Sequence, residues 1–104
     1  MSQFDGQWRI TWMEEWDSDY IDMVEPGVFT FEGNKGHFVF GTVTGEIDSR
    51  QRDGGKRMEF SWEGQCEGDQ MNGRGWLERK GGDVAEGRLF VHLGDESAIK
   101  LEKT

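Results

Sequence analysis

At 104 residues with a formal net charge of −9, the chain is expected to form one domain, and its acidity excludes duplex DNA, RNA and anionic membrane surfaces as natural partners, since those call for clustered Lys and Arg. No stretch approaches the roughly 20 consecutive apolar residues of a membrane span, and the opening Met1 to Gly6 lacks a basic region followed by an apolar run, so no secretory signal is expected. The single Cys66 excludes an internal disulfide and agrees with a reducing compartment, which makes a cytoplasmic home the expectation.

Leu, Ile, Val and Phe together number 21, a share that with this charge lies near the compositional border for disorder. Five Trp and five Met supply the missing apolar surface, because a buried aromatic removes about 150–250 Å² from water. The apolar residues alternate instead of scattering, and the 16 Gly with a single Pro fit tight turns and closely approaching strands. An all-β fold is the reading these features support.

The first predicted strand is Gly6 to Glu14, with Trp8, Ile10 and Trp12 on one face at period two and Trp16 at the same parity. The four-residue spacing of Trp8, Trp12 and Trp16 also suits a helix, but the β-branched Ile10 and Thr11 favour a strand. Residues 1–25 hold seven acids and one base, a net −6. Residues 13–25 concentrate this charge around Tyr20, Ile21, Met23 and Val24, and helix, strand and loop all stay open there. Pro26-Gly27 is a turn. Val28 to Glu32 reads as a strand, and Gly33 to Gly36 as a four-residue hairpin connection. A strand opening at His37-Phe-Val-Phe40 is expected to continue towards Arg50, bent at Gly41 or Gly45.

Asp53-Gly54-Gly55 is the next turn. It leads to a hairpin in which Met58, Phe60 and Trp62 face inward on one strand and Met71, Gly73, Gly75 and Leu77 on the next. The small residues leave room that Trp62 is placed to fill. Gly81-Gly82-Asp83 turns the chain into a strand from Val84 to Leu93, with Leu89, Val91 and Leu93 on one face and Phe90 and His92 on the other. The apolar Leu89 face is the expected inner one and the Phe90 face the alternative. Gly94-Asp95 turns the chain into the last strand, with Ile99 and Leu101 inward. Seven or eight antiparallel strands in sequence order predict an up-and-down meander barrel, whose closure removes vulnerable edges. A two-sheet β-sandwich is the alternative.

The Gly6-x-Trp8 pair at the start of the first strand resembles the signature of the calycins, the group of lipocalins, fatty-acid-binding proteins and avidins. The hairpin around Trp62 and the Gly73-x-Gly-Trp76 stretch look more like the avidin version. The likeness spans the chain as a spacing of strands, but the chain is shorter than a lipocalin and lacks that group's disulfide cysteines. It implies a barrel, and by analogy a small ligand.

Candidate chemistry is sparse. Asp17-Ser-Asp19-x-x-Asp22 has oxygen ligands for calcium without the Gly and closing Glu of an EF-hand loop, and His37 and His92 lack a third ligand at any useful spacing. Cys66 sits between Glu63 and Glu67, without the base or positive surroundings of a nucleophile. No metal, no cofactor and no catalytic residue is assigned. The expected function is non-enzymatic binding of a small apolar or aromatic molecule by Trp8, Trp12, Phe40, Phe60, Trp62 and His92. The alternative is an interaction module or homodimer with a packed core, in which the acidic stretch and the Trp residues meet a partner protein.

Overall fold

A computed structural model describes residues 4–104. Strand β1 (Gly6–Met13) leads through a four-residue helix α1 (Ser18–Ile21) to β2 (Val28–Glu32), β3 (Lys35–Phe40) and β4 (Val43–Arg52). A 3-10 turn at Asp53–Gly55 precedes β5 (Arg57–Cys66), β6 (Asp69–Arg79), β7 (Val84–Val91) and β8 (Glu96–Lys103). Each strand pairs antiparallel with the next, and β8 closes on β1. The fold is therefore a closed eight-stranded meander barrel, and the sandwich alternative falls away.

Period-two alternation places the core. Phe29, Phe38 and Phe40 point inward from β2 and β3, and the Phe29 and Phe38 rings stack at 4.9 Å. Trp62 meets Phe38 edge-on at 5.1 Å. Such pairs add about 0.5–1.5 kcal/mol each beyond the area they bury. Space for Trp62 comes from its cross-strand neighbour Gly73, where a Cβ would run into the Phe90 carbonyl and the Trp62 indole nitrogen. That indole Nε1 donates to the Phe90 carbonyl at 3.2 Å, so the buried N–H is satisfied.

Both ends of the barrel are stopped by side chains. At one end Phe4 is fully buried, its ring 5.9 Å from that of Trp8, and its carbonyl accepts from Trp8 Nε1 at 2.9 Å. At the other, the segment after β1 folds over the opening. Asp17 caps α1 by accepting from the Tyr20 backbone N–H at 2.9 Å, and Ile21 is buried. The Trp16 ring lies 5.0 Å from Phe40. Gly41 adopts φ +55°, and the Tyr20 ring occupies the space a side chain there would need.

Three local readings change. Thr11 is an extra residue where β1 meets β8, because Ile10 pairs with Leu101 while Trp12 pairs with Lys100. This bulge rotates Trp12 out to 44% exposure and gives its inward place to Met13. The expected single strand from His37 to Arg50 is two, separated by a turn at Gly41 and Thr42. Strand β7 stops at Val91, so His92 and Leu93 lie in the following turn, where Leu93 adopts φ +56° and is 95% exposed instead of inward.

Candidate functional site

The six residues expected to line a pocket separate into two groups. Trp8, Phe40, Phe60 and Trp62 are core side chains, none more than 5% exposed, and each packs against other rings of the interior. Trp12 is outside, with the Lys100 ammonium 5.3 Å from its ring centroid. His92 is exposed on the turn between β7 and β8, its backbone N–H bonded to the Asn72 carbonyl at 2.7 Å. The structure brings the first four into one core and leaves the other two on the surface.

Two of the three acids of the calcium candidate have other partners. Asp17 caps α1, and Asp22 accepts from the Gly27 N–H at 2.8 Å while pairing with Arg9 at 3.2 Å. Among the described residues no group of three or more His, Cys, Asp or Glu is arranged to hold a metal ion. Cys66 ends β5 half-buried, with its Sγ 3.2 Å from the Thr42 hydroxyl, which in turn lies 3.1 Å from the Tyr20 hydroxyl. That chain of contacts ties the cap to the barrel wall.

The outer wall of β4 to β7 carries a different arrangement. The strand register aligns Asp48, Ser61, Arg74 and Phe90 in one row across the four strands. The next row is Arg50, Glu59, Trp76 and Arg88. Ser61 is the smallest side chain in this lattice, and a groove of about 590 Å³ opens over it and Gly75. Trp76 and Phe90 are half-buried on its far side. The Arg57 guanidinium covers the Trp76 ring at 4.3 Å, and Arg74 covers Phe90 at 4.7 Å. Each such stack contributes about 0.5–1 kcal/mol at an exposed site.

Charge in the groove runs against that of the chain. Four arginines (Arg50, Arg52, Arg57 and Arg74) face two carboxylates, Asp48 and Glu59, a local excess of +2 on a protein of net −9. Arg50 is held by Asp48 at 2.6 Å, and Arg52 and Arg57 share Glu59 at 3.6 and 3.7 Å. Arg57 also approaches Glu78 at 3.6 Å. Lys80, hydrogen-bonded to Glu78 at 2.9 Å, holds the Glu78 carboxyl below its ordinary range and is itself raised by that bond.

Arg74 differs from its neighbours. Among the described residues its side chain has no ion pair and no hydrogen bond, only the Phe90 ring beneath it. A guanidinium stacked on a ring keeps its fork of five N–H donors in a fixed plane, the geometry that binds a carboxylate or phosphate bidentately. The sequence carried a signal for this site. In Gly73-Arg-Gly-Trp76 the glycines take the inward positions, so Arg74 and Trp76 must share the outer face.

No family model, no curated protein and no solved structure matches this chain. Among the described residues no helix is long and apolar enough to cross a membrane.

Proposed function

We propose that the protein is a non-catalytic interaction module: a barrel with a packed core that engages a carboxylate-bearing segment of a partner protein on the outer wall of β4 to β7. The observation that carries this reading is Arg74, an arginine without a carboxylate partner in a chain where acids outnumber bases 21 to 12. Its bare donor edge beside the Ser61 hydroxyl and the half-buried Trp76 and Phe90 offers a charge-assisted contact flanked by apolar surface, the composition of an interface hot spot. The lone Cys66 suits a reducing compartment, and a cytoplasmic home belongs to the proposal.

A fluorescein-labelled decaglutamate peptide titrated into the intact protein tests the groove. Binding is expected to weaken at least about fivefold in Arg74→Ala, a loss of about 1 kcal/mol. Trp76→Ala is expected to weaken it less. Equal binding by the parent and both variants would remove the groove from consideration.

A second reading, a small apolar or aromatic molecule held inside a calycin-like barrel, is favoured by the fully buried Ser49 hydroxyl, which has no hydrogen-bond partner among the described residues. It requires the stacked phenylalanines or Trp62 to give way. Gentle native mass spectrometry of protein from its own host decides it: extra mass that leaves on denaturation supports a lumen ligand, and a bare chain counts against one.

A further inference from the structure

We infer that the carboxylate-bearing segment is carried by a second copy of this chain, with the loop Met23-Val24-Glu25 of one molecule seated in the arginine and aromatic groove of the next. This rests on the outer-wall reading and names its partner.

The loop joins α1 to β2 and lies against β1, where Arg9 reaches Asp22 and the Gly27 carbonyl. Met23 and Val24 are 56% and 64% exposed. They are among the few large apolar side chains left to water, and they precede Glu25 directly. Several neighbouring acids are engaged inside the fold: Glu14 with Arg88 at 3.3 Å, Asp17 with α1 and Asp22 with Arg9 at 3.2 Å. Glu25 has no hydrogen bond or ion pair among the described residues. One molecule therefore presents two apolar side chains ending in a free carboxylate. It also presents a groove in which two half-buried rings each lie under a guanidinium, and the one on Phe90, Arg74, has no ion pair among the described residues.

The two surfaces cannot meet within one molecule. In the closed ring of strands the loop lies over the β1 and β2 wall, and β6, which carries Arg74 and Trp76, is four places round from β2. Opposite walls make the contact heterologous, so each added copy exposes a fresh groove or a fresh loop. The assembly grows by single copies into an open chain, or closes as a ring where the rotation between copies allows, instead of stopping at a two-fold dimer. Net repulsion between copies of charge −9 opposes it, and at about 0.15 M salt that repulsion is screened beyond about 8 Å while the contact itself is shorter than that.

Sedimentation velocity at 0.15 M salt from micromolar to millimolar concentration reads the proposal. The weight-average mass of the parent is expected to climb steadily with concentration. Arg74→Glu and Glu25→Arg, both at exposed positions, should each lower the association constant at least about tenfold, and the combined reversal should restore most of it. A parent that stays monomeric, or association indifferent to Arg74→Glu, overturns the second copy as partner. The decaglutamate titration separates this from the underlying reading. Arg74-dependent peptide binding by a monomeric protein leaves the outer wall as a docking site for another protein, and loss of both signals removes the two together.

Discussion

On β5 the inward Met58, Phe60 and Trp62 are at most 5% exposed, while the outward Arg57, Glu59 and Ser61 share a groove with Trp76 and Phe90. The same ten residues thus make two surfaces with opposite economies. Inside, the indole N–H of Trp62 has its acceptor and the rings have neighbours. Outside, Arg74 of the neighbouring β6 has no ion pair among the described residues, and the half-buried Trp76 and Phe90 rings lie under the Arg57 and Arg74 guanidinium groups. Alternate residues of one strand thus serve the core and the outer wall, so substitution can address either alone.

The inner surface should give the largest effects. Trp8→Ala and Trp62→Ala each empty a packed site and should cost about 3–5 kcal/mol in urea unfolding. Trp62→Ala also strips the Phe90 carbonyl of its indole donor. Trp12→Ala is the matched control on the outside, where the loss should stay within about 1 kcal/mol. Equal costs for Trp8 and Trp12 would break the division between faces. Tyr20→Phe removes the hydroxyl that bonds Thr42 at 3.1 Å and should cost about 0.5–1.5 kcal/mol. Faster hydrogen exchange confined to the cap would localise that loss.

On the outer wall, Arg74→Ala should change unfolding stability by no more than about 0.5 kcal/mol while weakening peptide binding as above. A large stability loss would mean that Arg74 serves the fold. The smallest effect belongs to Glu78 and Lys80. With its folded pKa held below the ordinary 4.5, Glu78 contributes stability that is present above that value and lost as pH falls through the lowered one. Lys80 is raised above 10.5, so its share is present below that value and lost as pH climbs through the raised one. Glu78→Gln should flatten the acid side of the stability profile slightly. An unchanged acid side would show that Glu78 does not contribute.

Much of the barrel was legible because alternation and turn chemistry are local. Met58, Phe60 and Trp62, the glycines of β6 and the order of the strands all follow from neighbours in the sequence. The bulge at Thr11 was not legible, since an extra residue is defined by what β8 places opposite it. Its consequence was a misplaced Trp12. The cap over Phe40 was equally hidden, because Tyr20 meets Gly41 and Thr42 only after the chain has turned back. The groove needed register as well: Arg74 and Trp76 could be assigned to one face, but Ser61 and Phe90 join Arg74 only when three strands are laid side by side.

Closure of the ring by β1 and β8 has a consequence for how the molecule is made. Trp8 pairs with Lys103, so β1 keeps one edge unpaired until β8 has been made. Contacts between such distant residues slow folding, and an unpaired edge beside Trp8 and Ile10 is a template for strand addition by another nascent chain. A chain stopped before Glu96 would keep that edge open indefinitely, and its natural fate is aggregation.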